Sequence, residues 1–334
     1  MNIYRLLKLN RSIRSNRIKL LLIFTAHILN RRYYSVRIDP IFACNLRCLM
    51  CYFSKTRKPQ SQKFARDEFD LLAKSLFGNA LQVVVGCGAE PTIHPDYIYL
   101  VELARRYRVP HVGLVTNGQL ISKTDLETLS RVGLNELTLS VHGAGKETYE
   151  HFMVGAKWDK LIEIFENINL LKSDGKIDFS LRVNYTANPD NIKELLNFFD
   201  VFGKYPINTL QVRPIMDIGG SYFTPFTNQN ISEYNSVIES LRIECGKRGV
   251  TLLANTQNPG YGEQRDNPII AQTYKYVSPQ VVVDSNFYWK TESYRHFLRR
   301  TGWHRTIVNT ILYPQKPHLS TDLAERYGSQ YDVL

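Results

Sequence analysis

The chain comprises 334 residues, 43% of them hydrophobic and 22% charged, a composition that excludes a disordered or fibrous class and suits one large domain with appendages. Its net charge of +11 is concentrated at the start, where residues 1–40 hold nine Lys or Arg against the single Asp39. No aromatic-and-basic binding module accompanies that charge, so nucleic acid is not expected as a partner, and the apolar run from Leu20 to Leu29 is too short to cross a bilayer.

In chain order, residues 1–34 read as a basic helical arm. Arg11, Arg14, Arg17 and Lys19 lead into the apolar run, and Arg31 and Arg32 follow it directly. Arginines in that position, and the lack of small cleavage-site residues, argue against a secretory signal peptide. Two readings stand: a helix packed on the protein body, or an interfacial helix making peripheral contact with anionic lipid. Packing is favoured, because basic helix faces are usually just solvated.

From residue 35 onward, apolar or β-branched runs near 35–40, 81–86, 110–115, 136–141, 178–184 and 208–213 alternate with amphipathic segments. The helical segments are Asp67 to Phe77, Pro95 to Tyr107, Lys123 to Val132, Asp159 to Lys172, Asn191 to Phe202 and Ser232 to Arg248. Connections this long argue for parallel strands joined by right-handed crossovers. The expected fold is α/β, a partial (β/α)6 TIM-type barrel over residues 35–249. The arm precedes it and a small C-terminal α+β cap over residues 250–334 follows. Function in such barrels collects at the carboxyl ends of the strands.

After the first strand come Cys44, Cys48 and Cys51, a C-x-x-x-C-x-x-C run followed by Tyr52. Three thiolates can hold three irons of a four-iron cluster and leave the fourth iron open to a small molecule. The same spacing is a helical stripe, so three buried cysteines on a core helix are the plain alternative. Structural zinc would want a fourth ligand, usually from a second C-x-x-C or H-x-x-x-H pair, and the sequence has none.

The C-x-x-x-C-x-x-C-aromatic pattern resembles the signature of the radical S-adenosylmethionine (SAM) superfamily, and the resemblance continues to about residue 215. Gly88-Ala89-Glu90-Pro91 resembles that family's G-G-E-P segment, which implies contacts to the SAM amino group. Ala89 replaces the usual glycine, which is tolerable if its φ is negative. Thr116-Asn117-Gly118 and Ser140-Val141-His142-Gly143 match the ends of the third and fourth strands. The resemblance implies SAM contacts there, at Ser140 and also His142. Arg182, Asn184 and Arg213 are polar candidates at the ends of the fifth and sixth strands.

The resemblance further implies a [4Fe-4S] cluster on Cys44, Cys48 and Cys51, with SAM bound to the open iron. One-electron cleavage of SAM would yield a 5′-deoxyadenosyl radical that attacks an unidentified organic substrate. A reducing donor such as flavodoxin or ferredoxin would supply the electron. Cys87, three residues before Glu90, is a candidate hydrogen donor to a product radical, against the plainer reading of a small buried filler. Cys245 reads as core.

Beyond residue 250, Ser278 to Trp289 reads as a hairpin turning at Asp284-Ser285-Asn286. Relatives that modify peptides carry such a hairpin in a module with auxiliary clusters, but no cysteine follows Cys245, so this region is expected to be at most a cluster-free remnant. Peptide modification therefore competes with lipid, isoprenoid or sugar chemistry, and both compete with a catalytically idle accessory or membrane-docking protein. The cysteine pattern suggests a reducing compartment, hence a cytoplasmic location, at the inner membrane face if the arm binds lipid.

Overall fold

The computed structural model describes residues 12–55, 62–254, 268–313 and 332–333. A first helix, α1 (Asn16–Ile28), precedes strand β1 (Tyr34–Ile38). The repeating part then runs α2 (Arg66–Leu76), β2 (Ala80–Val85), α3 (Tyr97–Arg106), β3 (His111–Thr116), α4 (Lys123–Arg131) and β4 (Glu136–Ser140). It continues through α5 (Lys146–Phe152), α6 (Trp158–Ser173), β5 (Ser180–Ala187), α7 (Phe198–Phe202), β6 (Ile207–Pro214) and α8 (Ile231–Arg248). Strands β1 to β6 are parallel neighbours in sequence order, the arrangement of an unclosed (β/α) barrel.

Alternation along the strands separates two environments. Val36, Ile38, Val83, Val85, Leu114, Leu137, Leu139, Leu181, Val183 and Leu210 are fully buried in the main apolar core. The intervening positions are largely polar and pair between neighbouring strands on the lumen face: Ser35 donates to Gln82, and Arg182 pairs with Glu136. A polar lumen beneath open strand ends is suited to a reacting molecule.

The region after residue 250 extends the same sheet. Strand β7 (Thr251–Ala254) lies parallel to β6, and after helix α9 (Pro268–Thr273) strand β8 (Tyr274–Ser278) lies parallel to β1. A hairpin is present, but β9 (Val281–Val282) pairs antiparallel with β8 through a turn at 279–280, not at Asp284-Ser285-Asn286. The Asp284 carboxylate instead accepts from Asn286 N in a local turn after the strand has ended. Helices α10 (Tyr294–Arg300) and α11 (Trp303–Leu312) follow, and β10 (Asp332–Val333) adds a short antiparallel edge to β7. The remainder of the tail after Tyr313 lies outside the described residues.

The expected helix from Asn191 to Phe202 is instead a 3₁₀ stretch, Ile192–Asn197, followed by the short α7. Asn188 and Asn191 explain the difference. Their side chains accept from backbone amides at 188, 190 and 191, so the chain begins as a turn rather than a capped helix.

Helix α1 packs on the body through Leu20, Ile23 and His27, which are buried. The His27 ring lies 4.7 Å from that of Trp303 on α11, and Arg295 of α10 donates to His27 O at 2.9 Å. At the foot of the barrel Arg32 donates to Phe77 O, Ala80 O and Tyr107 O, which ties the arm to two crossovers.

Candidate active site

The loop after β1 carries the three cysteines and is held by the loops that follow other strands. Glu90 N donates to Ala43 O, Asn117 Nδ2 to Asn45 Oδ1 and Leu49 N to Phe152 O. Tyr222 N, from the segment after β6, donates to Leu49 O, and a Cβ on Gly220 would come within 2.6 Å of that carbonyl. Met50, Phe152 and Ile215 form a separate apolar cluster over this contact. The cysteine loop is thus sutured on several sides, and none of its cysteines lies on a core helix.

The thiols share a half-buried space. Burial pushes Cys44 up to about 11, and the nearby Glu90 and Cys51 charges add to the rise. Burial likewise raises Cys48, with further repulsion from Cys44 and Cys51, and it raises Cys51. Among the described residues no three His, Cys, Asp or Glu side chains gather as a single ion would need. A four-iron cluster takes each thiolate on a separate iron.

Across from the thiols, the loop after β2 is built on one carboxylate at each end. Gly86 has φ +88°, and a Cβ there would stand 2.3 Å from Val115 O, so only glycine fits the turn. Asp39, fully buried, accepts from Cys87 N at 2.7 Å, Gly88 N at 3.0 Å and Tyr276 Oη at 2.7 Å. Burial raises the Asp39 pKa against those bonds. Tyr52 donates to Gly88 O and stacks on Phe42. Outside glycine, positive φ among the described residues occurs only at Asn30, Arg108 and Val283, so Ala89 meets the condition set for it.

Glu90 closes the other end. It is 3% exposed and accepts from Thr92 N, Thr92 Oγ1, Thr116 Oγ1 at 2.7 Å and Asn117 N at 2.8 Å. Burial raises its pKa while these donors oppose the rise. Thr116 and Asn117 are therefore engaged inside the protein, clasping the β2 and β3 loops together.

A family model described as the radical SAM superfamily matches residues 38–200, the span from the end of β1 into α7. Residues 38–200 of the chain are a radical SAM domain. It is similar to the "Probable GTP 3',8-cyclase" of Sulfurisphaera tokodaii, 26% identical over 75% of this chain and 75% of that protein. It is also similar to the "AdoMet-dependent heme synthase" of Methanosarcina barkeri, 26% identical over 47% of this chain and 44% of that one. The fold matches Streptococcus suis SuiB bound to S-adenosylmethionine, with TM-score 0.61 and 16% identity over 87% of this chain and 72% of that one. This radical SAM chain is accordingly an enzyme of a class that uses S-adenosylmethionine and an iron–sulfur cluster.

The residues present fit such a cluster. Three thiols in one half-buried loop, two of them in the field of Glu90, resist ionising together with only Arg47 to oppose the repulsion, and an iron–sulfur core would supply further positive charge. Asn184, fifth of eight residues in β5, falls short of that strand's end but lies opposite Ser140 at the carboxyl end of β4, and its Oδ1 is a buried acceptor with no partner, a feature expected where a ligand donates.

The other candidates divide. His142 accepts from Thr186 N at 3.1 Å through Nδ1, and burial, then the Arg213 charge, lowers it to about 4. It ties the β4 loop to β5 as a neutral ring. Arg182, third of eight residues in β5, does not reach the strand's carboxyl end; it bonds Glu136 Oε1 at 2.9 Å, at the amino end of β4. Pro91 is buried and opens a short 3₁₀ turn. Cys87 Sγ lies 3.2 Å from Tyr274 Oη, in the fields of Asp39, Arg37 and Arg213.

Sequence reasoning missed Arg37, Asp39, Tyr274 and Tyr276. Arg37 sits in β1 with Nε buried and unpartnered, and its charge acts on Cys87 above it and His111 below. The signal for Arg37 and Asp39 was available, because in a strand reading Ser-Val-Arg-Ile-Asp the polar positions share the lumen face. The two tyrosines lie in β8, which was not recognised as a barrel strand.

Proposed function

We propose that Cys44, Cys48 and Cys51 would hold a [4Fe-4S] cluster that works on SAM. When bound, the cluster would supply one electron to cleave a carbon–sulfur bond of SAM, giving methionine and a 5′-deoxyadenosyl radical that would take a hydrogen atom from substrate. The observation that carries the reading is the set of three mutually repelling half-buried thiols beside Glu90, at the carboxyl end of β1, in a chain of this superfamily.

The chain's own residues orient the partners. Glu90 fixes the β2 and β3 loops, Asp39 aims the Cys87 and Gly88 backbone, and Gly88, Ala89, Ser140 and Asn184 line the space for SAM. Arg213 is assigned to the same rim. Arg37, whose buried Nε has no partner, supports a substrate that carries an anionic group; GTP, in the first relative's name, is one such molecule. Cys87, paired with Tyr274, is assigned as hydrogen-atom donor to the product radical. The resulting thiyl would be restored by an electron from the reducing donor, a flavodoxin or ferredoxin, and a proton. A reducing cytoplasmic setting suits these thiols.

The test is anaerobic reconstitution with iron and sulfide, then dithionite and SAM, with 5′-deoxyadenosine read by mass spectrometry. Wild-type protein should gain broad visible absorbance and release 5′-deoxyadenosine; Cys48→Ala should do neither while keeping its circular dichroism. Cleavage of SAM by Cys48→Ala would overturn the site.

A further inference from the structure

Helix α1 has two apolar faces, and the barrel covers one of them. Leu20, Ile23 and His27 point inward, whereas Ile18, Leu21, Leu22, Ile28 and the capping Leu29 are between 50% and 62% exposed. Positions 18, 21, 22, 25, 28 and 29 form one stripe along the helix, interrupted only by Thr25. Helix α11, packed against α1, exposes Val308 and Leu312, and Tyr313 follows. Of the 15 exposed large hydrophobic residues among those described, eight belong to this pair of helices and their caps. Single exposed leucines are ordinary, but such a concentration marks a contact surface.

The charge around the stripe selects the partner. Arg14, Arg17 and Arg31 are exposed beside α1, and Arg305 is exposed on α11. No acidic residue occurs between residues 1 and 38 or in α11. A second copy of the chain would bring one uncompensated basic rim against another. A lipid surface with negative headgroups neutralises the rim and takes up the stripe.

We propose that the outer face of α1, with the adjoining face of α11, docks this enzyme on an anionic lipid bilayer. The helix lies in the interface, about 20 Å long, with the stripe reaching the acyl boundary. No helix of the described residues is long and apolar enough to cross a membrane, so the contact is peripheral. The cysteine loop, at the far end of β1, takes no part in it.

Co-sedimentation of the full chain with vesicles tests this, using phosphatidylcholine alone and phosphatidylcholine with roughly one third phosphatidylglycerol. Binding should require the anionic lipid and weaken with added salt. Leu21→Glu with Leu22→Glu, at solvent-facing positions, should weaken it about tenfold or more, and Arg14→Glu with Arg17→Glu should do so separately, both with unchanged circular dichroism. Failure to bind anionic vesicles, or equal binding to both vesicles, overturns the proposal. A dimer in light scattering that Leu21→Glu/Leu22→Glu dissociates would overturn it in favour of self-association.

Discussion

Asp39 offers a direct measure of how the β2 loop is held. Its carboxylate is fully buried and accepts from two backbone amides and the Tyr276 hydroxyl. Asp39→Ala strands two half-buried amides and the buried Tyr276 hydroxyl, each costing about 1–3 kcal/mol when left unpaired, so the folded apoprotein should lose about 3–9 kcal/mol, toward the lower end where water reaches the amides. Asp39→Asn is the control. Its Oδ1 can still accept from Cys87 and Gly88 while its amide donates to a reoriented Tyr276 oxygen. Only the charge assistance is lost, worth about 1–2 kcal/mol. Urea unfolding of the apoprotein, followed by circular dichroism, separates the variants. If Asp39→Ala unfolds within about 1 kcal/mol of wild type, on the scale of a single net hydrogen bond, that carboxylate does not carry the loop.

Gly86→Ala forces a Cβ to 2.3 Å from Val115 O at φ +88°, so it should cost about 3 kcal/mol or prevent folding, whereas Gly246→Ala, with open space in α8, should be neutral or stabilising by up to about 1 kcal/mol in thermal unfolding. His27 is held neutral, its pKa lowered to about 4 by burial and then by the Arg295 charge. The unfolded chain therefore binds the extra proton first, and stability falls as pH drops from about 6.5 toward 4. Between pH 7 and 5 wild type should lose about 2 kcal/mol more than His27→Gln, read by urea unfolding. Cys87→Ala should leave reductive SAM cleavage intact yet lower product formation once a substrate is found; retention of full product yield in that variant would refute the donor role.

The barrel was legible because each strand carries its own apolar face and each crossover helix its own amphipathic period. Val83 to Val85 and Leu137 to Leu139 advertise burial without help from distant residues. Strands β7 and β8 were missed for the opposite reason: Thr-Leu-Leu-Ala is short, and Tyr-Lys-Tyr-Val-Ser alternates two large polar aromatics that read as surface until the lumen is known to be polar. The turn after β8 was misplaced because Asp284-Ser285-Asn286 has stronger turn chemistry than 279–280, although it bends the chain only after pairing has ended. The cysteine spacing could be read locally. The bond from Tyr276 to Asp39 joins residues 237 apart, and no local pattern announces such a pair. Arg182 shows the converse limit: the sequence reads as putting it at the carboxyl end of its strand, but the observed register puts it opposite Thr138 and against Glu136.

The seating of α1 has a consequence for biosynthesis. Residues 16–28 emerge from the ribosome early, yet the aromatic surface they pack on, at Trp303 and His304, is made about 275 residues later. Until then both apolar sides of the helix are bare, and closing so long a loop is slow. The nascent chain thus carries an adhesive segment through most of its synthesis. A truncation that removes α10 and α11 would leave the barrel strands β1 to β8 in the sequence but make that exposure permanent, so loss of solubility is the outcome such a shortened chain should show.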